Sequence, residues 1–238
     1  MIPEKQREVR GMNYTYEEIA KMIDHSLLHP KMTDEELERG CRVAIHYDVA
    51  TVCIKPYYLR RCAEILEGST VKPTTTVGFP HGSHVTRIKV AEAKEALDDG
   101  AEELDMVVNV GKVLSGDWEY VRSDIKAVVD LAHERGKIIK VIFENCYLED
   151  EHKIKLCEIC GEVGADFVKT STGYGEGGAT IHDLKLMIEH TPPHVKVKAA
   201  GGIRTLDKLL EVRALGVARI GASRTVDILD ECRRRLAR

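Results

Sequence analysis

Short runs of β-branched and apolar residues alternate along this chain with longer amphipathic segments. Eight of these runs predict β-strands, at residues 22–26, 50–54, 74–78, 103–108, 138–143, 166–169, 195–199 and 219–221. Helix signals lie between them, because capping boxes begin at Thr15 and Thr33 and segments of helical spacing end at Gly100, Gly136, Gly164 and Gly216. Regular alternation of strand and helix is typical of parallel strands joined by crossover helices.

The number of these units indicates the architecture. Eight strand–helix units within 238 residues predict an α/β fold with a single (β/α)8 TIM barrel at residues 14–238, preceded by a short N-terminal extension at residues 1–13. An open, doubly wound sheet is the alternative. It is less favoured because no G-x-G-x-x-G motif follows the first predicted strand.

Charged residues share one face of several predicted strands. Strand side chains alternate between two faces, so the polar face of the fourth, fifth and seventh strands carries Glu103, Asp105 and Asn109, then Lys140 and Glu144, then Lys196 and Lys198. Helices that cover the apolar face leave the charged face to point into the barrel. A buried charge costs several kcal/mol unless it is paired, so we expect an ionic network there. A solvated surface sheet is the alternative, and it conflicts with a helix after every strand.

Two lysines lie near the ends of neighbouring predicted strands, Lys169 on the sixth and Lys198 on the seventh. Neighbouring strands are about 4.8 Å apart, and barrel enzymes gather their catalytic residues at the carboxyl ends of the strands. An ordinary lysine is protonated at neutral pH, but burial and a nearby cation lower its pKa. We therefore expect Lys198 to activate Lys169 as a nucleophile, with a carboxylate such as Asp105 to orient the pair and relay protons.

Glycine-bearing loops follow the last three predicted strands, at residues 170–173, 200–205 and 221–224. Glycine lets backbone amides approach an anion, and the helix N-terminus that follows adds a favourable dipole. Many barrels bind phosphate with the loops after strands seven and eight. These loops therefore predict a phosphate site.

Composition narrows the class of partner. The net charge is −4, aromatic residues make up 5% of the chain, and no basic stripe is present, which argues against nucleic-acid binding. No apolar run approaches the roughly 20 residues of a membrane helix. The N-terminal residues lack the apolar stretch of a secretory signal, so a cytoplasmic location is the default expectation.

Two further motifs suggest metal or redox chemistry only weakly. Cys157 and Cys160 form a C-x-x-C, and His81 and His84 form an H-x-x-H. No second cysteine pair has zinc-site spacing, and no third ligand is evident for the histidines. We interpret the cysteines as small apolar residues on one helix face and the histidines as loop residues, so no metal site is predicted.

Eight motifs together resemble those of the deoxyribose-phosphate aldolases. In chain order between Ile23 and Ser223 they are IDHSLLHP, ATVCIKP, TTTVGFPHG, ELDMVVNVG, KVIFENCYL, FVKTSTGY, VKAAGGIRT and RIGAS. They occur in the order and at the spacing of that family. FVKTSTGY and VKAAGGIRT are the most specific of them.

The resemblance implies reversible, cofactor-free cleavage of 2-deoxy-D-ribose 5-phosphate to D-glyceraldehyde 3-phosphate and acetaldehyde, in deoxyribose phosphate catabolism. It implies that Lys169 forms a Schiff base, that Lys198 lowers the pKa of Lys169, and that Asp105 relays protons. It places substrate and phosphate contacts at Gly173, Gly201, Gly202, Gly221, Ser223 and Cys53, with Asp24 and Lys140 in a supporting polar network. It also implies a small phosphosugar as partner and a homo-oligomer, either a dimer or a tetramer.

One departure and two alternatives stay open. The loop after the eighth strand often reads Gly-x-Ser-Ser in this family, but Arg224 replaces the second serine here, which puts one phosphate contact in doubt. Another Schiff-base aldolase acting on a fructose- or heptulose-type phosphate is an alternative, although Lys198 on the adjacent strand argues against it. A non-catalytic barrel that only binds phosphosugars is the second alternative. The presence of Lys169, Lys198 and Asp105 together argues against it.

Overall fold

A closed barrel of parallel strands forms the centre of the computed structural model, which describes residues 14–237. The strands of this range are Ile23–Leu27 (β1), Thr51–Ile54 (β2), Lys72–Val77 (β3), Glu103–Val107 (β4), Ile138–Ile142 (β5), Phe167–Lys169 (β6), Lys196–Ala200 (β7) and Arg219–Ala222 (β8). Each strand pairs with the next, and β8 pairs with β1, which closes the barrel. The predicted TIM barrel is confirmed. The predicted extension at residues 1–13 lies outside the described residues.

Helices follow the strands and cover the outside of the barrel. They are Tyr16–Ala20 (α1), Asp34–Tyr47 (α2), Leu59–Leu66 (α3), Thr86–Asp98 (α4), Val110–Leu114 (α5), Trp118–Glu134 (α6), Asp150–Val163 (α7), Ile181–His190 (α8), Leu206–Ala214 (α9) and Thr225–Leu236 (α10). Both predicted capping boxes are present, at Thr15 and Thr33. The sequence signals do not single out α3, α8 and α10, and neither α8 nor α10 has a glycine at its end. No helix within residues 14–237 combines the length and apolarity of a bilayer span.

Alternation along the strands separates an apolar layer from a polar interior. Residues such as Leu104 and Ile139 are fully buried in the core between the strands and the helices. Asp105 on β4 is in register with Lys140 on β5, and Lys169 on β6 is in register with Lys198 on β7. The charged faces of these strands therefore meet inside the barrel, as the ionic network requires.

Three residues assigned to that charged face do not join the ionic network. Asn109 follows the end of β4 and caps α5, where its side chain accepts a hydrogen bond from the Lys112 amide. Glu144 follows β5 in a left-handed conformation with φ of 47°, so its side chain leaves the strand direction. Lys196 keeps the inward register but is exposed, and its ammonium group lies 5.7 Å from the centre of the Phe167 ring. The assumption that the strands continue unbroken past their ends was wrong for Asn109 and Glu144.

The loop after β3 passes so close to the end of β4 that it requires a glycine. Gly82 has φ of 66°, and a Cβ atom there would lie 1.8 Å from the carbonyl oxygen of Val108. Val108 directly follows the strand that carries Asp105. The packing of Gly82 therefore helps to fix the position of the carboxyl end of β4.

Replacing Gly82 with alanine should destabilise the barrel, because the added methyl group meets backbone that cannot move independently. We expect a loss of roughly 2–5 kcal/mol in unfolding free energy, from overpacking combined with the positive φ. Gly68→Ala is the matched control, since Gly68 also has a positive φ but no atom would lie within 4 Å of its Cβ. That control should lose only about 1–2 kcal/mol. Urea denaturation measures both, and equal losses would contradict the packing argument.

Candidate active site

A cavity of about 390 Å³ opens at the carboxyl ends of the strands. Most of the site residues predicted from the sequence line it, namely Asp24, Cys53, Lys169, Gly173, Lys198, Gly201, Gly202, Gly221 and Ser223. The remaining two, Asp105 and Lys140, are fully buried and contact lysine or aspartate residues of the lining. The barrel thus brings the whole predicted set to one place.

The Asp105 carboxylate contacts the amino groups of three lysines. Its Oδ2 atom accepts hydrogen bonds from Lys169 Nζ and from Lys198 Nζ, each at 2.7 Å. Its Oδ1 atom accepts a hydrogen bond from Lys140 Nζ at 2.8 Å. The amines of Lys169 and Lys198 therefore share a single oxygen atom, so they are near neighbours, as their positions on adjacent strands suggested.

Two more carboxylates and an arginine extend this cluster beneath the cavity. Asp24 binds Lys198 through Oδ2 and Arg219 Nη1 through Oδ1, the latter at 2.6 Å. Glu103 binds Lys140, and its Oε2 lies 3.4 Å from Arg219 Nη1. Within the described part of the chain, the resulting ionic cluster contains the bases Lys140, Lys169, Lys198 and Arg219 and the acids Asp24, Glu103 and Asp105.

The ionic cluster has one more basic group than acidic groups. If every group were ionised, it would carry an uncompensated positive charge in a region almost without water, which is costly. Loss of one proton from one lysine removes that excess. Lys169 is the member that can lose it most easily, because Asp105 is the one carboxylate it binds within residues 14–237, whereas Lys140 and Lys198 each bind at least two.

The pKa values of the two neighbouring lysines shift in opposite directions. Burial is the largest cause that lowers the pKa of Lys169, and the Lys198 charge lowers it further, against the opposing effect of Asp105. Burial also acts on Lys198, but Asp105 and Asp24 outweigh it and raise the pKa of Lys198. Lys169 is therefore suited to be a free amine and Lys198 to remain an ammonium ion.

Asp105 stays ionised at the centre of this arrangement. Burial alone would raise the pKa of its carboxyl group, but Lys140, Lys169 and Lys198 hold that pKa well below its usual range. Nearby, burial raises the pKa of the Cys53 thiol to about 11, so the thiol is protonated at neutral pH. Cys53 therefore offers the cavity a small neutral wall rather than a nucleophile.

The glycine loops provide backbone that an anion can approach. Gly173, Gly201 and Gly202 have φ values of 89°, 80° and 89°, a left-handed region that favours glycine. Gly221 has a different role, since a Cβ there would lie 3.3 Å from Ala200 Cβ and 3.8 Å from Lys198 Cε. Ser223 is exposed just before α10 begins at Thr225. The loops together offer amide and hydroxyl donors on one side of the cavity.

Two arginines near these loops differ in their position relative to the cavity. Arg224 is not part of the cavity lining, and its Nη1 atom lies 3.4 Å from Asp227 Oδ2 on the exposed side of α10. Arg204, in VKAAGGIRT, does line the cavity and is exposed, and the sequence reasoning missed it. A cation two residues after the paired glycines of a predicted phosphate loop was the signal available in the sequence.

Three other residues lie within the sequence motifs quoted above, but the sequence analysis assigned them no role. His25 lines the cavity, and burial lowers its pKa to about 4, so the imidazole is neutral; its Nδ1 lies 2.7 Å from Thr225 Oγ1. Tyr174 lies at the mouth, where its hydroxyl donates to the Leu28 carbonyl at 2.8 Å. Arg219 required knowledge of the register between β7 and β8, which places it beside Lys198.

The motifs considered for metal or redox chemistry lie away from the cavity. Cys157 and Cys160 are buried on α7, and burial raises the pKa of both thiols, that of Cys157 to about 11. His81 and His84 are exposed loop residues. Asp150, His182 and Asp183 have ligand atoms close enough for a metal ion, but the Lys153 ammonium group binds both carboxylates at 3.1 and 2.7 Å.

Comparison with known proteins identifies the family. Residues 18–223 match the model of the DeoC/LacD family of aldolases. A deoxyribose-phosphate aldolase of Rhodopirellula baltica is 60% identical over 224 residues, which cover 94% of this chain and 93% of that protein. The chain therefore belongs to the DeoC/LacD aldolase family and is an enzyme of the carbon–carbon lyase class.

Solved structures agree with this assignment. A putative deoxyribose-phosphate aldolase from Coccidioides immitis superimposes with a TM-score of 0.88 at 38% identity, covering 92% of this chain and 87% of that one. A tetrameric deoxyribose phosphate aldolase from Aeropyrum pernix gives a TM-score of 0.85 at 31% identity, covering 92% of each chain. The family resemblance found in the sequence motifs is confirmed.

Removing the Lys140 ammonium group should destabilise the fold strongly, because Asp105 and Glu103 would each lose a buried cation. We expect Lys140→Met to lower the unfolding free energy by about 3–5 kcal/mol, the usual cost of breaking a buried pair. Lys126→Met is the matched control, since Lys126 pairs with Asp130 on the exposed face of α6. It should change stability by no more than about 0.5 kcal/mol. Similar losses for both variants in guanidinium denaturation would show that the ionic cluster contributes nothing special.

Proposed function

We propose that this aldolase cleaves 2-deoxy-D-ribose 5-phosphate reversibly to D-glyceraldehyde 3-phosphate and acetaldehyde, with Lys169 as the residue that forms the Schiff base. The observation that carries the proposal is the buried Lys169 amine, which has a lowered pKa and shares the Asp105 Oδ2 atom with Lys198 at the cavity. The relatives named above as deoxyribose-phosphate aldolases support the choice of substrate.

The reaction begins when the Lys169 Nζ atom attacks the C1 aldehyde of the open-chain sugar. The resulting carbinolamine loses water and becomes an iminium ion. A base then removes the proton of the C3 hydroxyl, the C2–C3 bond breaks, and its electron pair enters the iminium to give an enamine. C3 becomes the aldehyde of glyceraldehyde 3-phosphate. Protonation of the enamine at C2 and addition of water release acetaldehyde and restore the free amine.

Lys198 and Asp105 supply the electrostatics and the protons of this sequence. The Lys198 ammonium disfavours a second positive charge on Lys169 before attack, and Asp105 stabilises the iminium charge after it. Because Asp105 Oδ2 contacts both amines, it also provides a path by which a proton moves between the Lys198 side and the substrate. Asp24 and Lys140 hold these groups in place through the ionic cluster.

The phosphate group of the substrate extends from Lys169 toward the glycine loops. Amides near Gly173, Gly201, Gly202 and Gly221 and the hydroxyl of Ser223 are the proposed donors, and Arg204 adds a cation on the same rim. Cys53 borders the acetaldehyde end beside Lys169, where a small neutral side chain leaves room for a two-carbon unit. A cavity of about 390 Å³ suits a small phosphosugar.

Two alternatives remain as outcomes of the tests. Another phosphosugar aldolase would use Lys169 but would release no acetaldehyde from 2-deoxyribose 5-phosphate. A barrel that only binds phosphosugars would form no covalent adduct. The lowered pKa of Lys169 favours catalysis over binding, because a buried cation would be the better ligand for a phosphate.

We also propose that the protein assembles as a homo-oligomer, a dimer or a tetramer. Support comes from the Aeropyrum pernix relative, which is described as a unique tetramer and superimposes over 92% of each chain.

Reduction with borohydride in the presence of acetaldehyde should attach an ethyl group to Lys169, because the reagent reduces the iminium to a stable secondary amine. Peptide mass spectrometry locates the modification. Lys169→Met should lose both the adduct and acetaldehyde release from 2-deoxyribose 5-phosphate. Lys196→Met is the matched control, because Lys196 lies on the same strand as Lys198 but is exposed at the amino end of β7. An adduct on another lysine in the native protein would reject the assignment.

Replacing Lys198 with leucine should move the pH dependence of adduct formation upward. Attack requires the neutral Lys169 amine, so the rate rises as pH passes through the pKa of Lys169, which the Lys198 charge helps to lower. Without that charge, the pKa of Lys169 rises and the profile shifts to higher pH. Lys198→Arg keeps the cation and should shift the profile less. Identical pH profiles for the wild type and Lys198→Leu would contradict the role of Lys198.

A further inference from the structure

Glu144 is a buried acid that the mechanism above does not use. It directly follows β5, only 3% of its surface is exposed, and its backbone is left-handed with φ of 47° and ψ of 64°. A residue other than glycine rarely adopts this conformation, which costs about 1–2 kcal/mol. Both the burial and the backbone are unfavourable for a glutamate, so the contacts of its carboxylate must explain its position.

Those contacts are with the loop that follows β6. Glu144 Oε1 accepts a hydrogen bond from the Thr172 backbone amide at 3.2 Å, and Oε2 accepts one from the Thr172 hydroxyl. No lysine, arginine or histidine in the described part of the chain forms an ion pair with Glu144. The carboxylate is therefore satisfied by the neutral donors of Thr172, with the Cys146 thiol 4.0 Å from Oε1, rather than by a cation.

Thr172 connects Glu144 to Tyr174, which lies at the mouth of the cavity. Its hydroxyl oxygen accepts a hydrogen bond from the Tyr174 amide at 3.0 Å. The Tyr174 hydroxyl donates to the Leu28 carbonyl after β1, and its ring packs edge-on against Phe79 with centroids 5.5 Å apart. Gly173 lies between the two residues that are held in this way.

Close packing fixes the same loop from below. A Cβ atom at Gly175 would lie 2.7 Å from Cys146 Sγ and 3.0 Å from Glu144 Cδ, so the loop backbone rests directly on the glutamate. Thr172, Gly173 and Tyr174 line the cavity, whereas Glu144 does not. Any effect of Glu144 on the substrate must therefore act through this loop.

We propose that Glu144 is a positioning residue for the phosphate end of the substrate. By holding both the amide and the hydroxyl of Thr172, it fixes the Gly173 amide in the orientation that binds phosphate and keeps the Tyr174 ring across the mouth. The inference rests on the proposed function, because it assigns the Gly173 loop to the phosphate of the same substrate. It adds a residue outside the cavity that determines the preference for a phosphorylated sugar.

Glu144→Gln tests this with little change in size. The glutamine oxygen can still accept from the Thr172 amide, but its NH2 group cannot accept from the Thr172 hydroxyl. We expect the KM for 2-deoxyribose 5-phosphate to rise about tenfold, equivalent to ~1.4 kcal/mol, with kcat changed far less. For unphosphorylated 2-deoxyribose, kcat/KM should stay within about threefold of the wild-type value. Equal loss with both substrates would overturn the proposal and indicate a merely structural role.

A double-mutant cycle with Thr172 identifies the path of the effect. Thr172→Val removes the hydroxyl that contacts Glu144 and should raise the same KM, whereas Thr172→Ser should retain near-normal binding. Adding Glu144→Gln to Thr172→Val should cost much less than it does alone, because the shared hydrogen bond is already lost. Full additivity would overturn the proposed path. The Thr172 variants also keep the test decisive if Glu144→Gln fails to fold.

Cys146→Ala is the matched control beside Glu144. Cys146 packs under the same loop but its Sγ lies 4.0 Å from Glu144 Oε1, so its removal should leave the ratio of the two substrates unchanged. Borohydride trapping with acetaldehyde distinguishes a failure of the proposed function from a failure of the role proposed for Glu144. If the wild type traps no acetaldehyde, the proposed function is wrong. If the wild type and Glu144→Gln both trap it and their KM values for the phosphorylated sugar agree, only the role of Glu144 is wrong.

Discussion

The carboxylate of Asp105 is shielded from water and accepts hydrogen bonds from the amino groups of three lysines inside the barrel. The other charges of the ionic cluster are arranged around it. Removing so many charges from water is costly, and the cost is offset only where each charge has partners at hydrogen-bond distance. Asp24, Glu103 and Arg219 complete that arrangement. A barrel filled with apolar side chains would be simpler to stabilise, but it could not hold Lys198 as an ammonium ion beside an amine whose pKa is lowered.

The same constraint explains how two identical side chains take different protonation states. Lys169 and Lys198 occupy equivalent register positions on adjacent strands and touch the same oxygen. Lys198 also binds Asp24, and this second carboxylate favours its ammonium form, whereas Lys169 lies toward the cavity and binds one carboxylate among the residues that the structure describes. A difference of one carboxylate neighbour therefore accompanies a lowered pKa at Lys169 and a raised pKa at Lys198. At the proposed phosphate end of the site, the Glu144 carboxylate accepts hydrogen bonds from the neutral amide and hydroxyl groups of Thr172.

Much of the fold follows from short-range patterns. Each predicted strand begins and ends within two residues of the observed one, and the capping boxes at Thr15 and Thr33 form as expected. These features depend on residues close in sequence, so local patterns are sufficient to predict them. The errors occur where a strand ends. Asn109 turns to cap a helix and Glu144 adopts a left-handed conformation, and alternation along a strand cannot show where the strand stops.

The sequence by itself determined the barrel, the inward charged face, and the residues Lys169, Lys198 and Asp105, since each depends on strand alternation or on motifs contiguous in the chain. Only the tertiary structure decided which atoms meet. Arg219 binds Asp24, although the two residues are almost 200 positions apart in the sequence. In the same way His25 contacts Thr225, and Glu144 binds Thr172 in the loop after β6. The excess of one base in the ionic cluster is likewise a property of the assembled barrel. Hydrogen bonds and charge balance depend on distances of a few ångströms between separate strands, which only the closed fold sets.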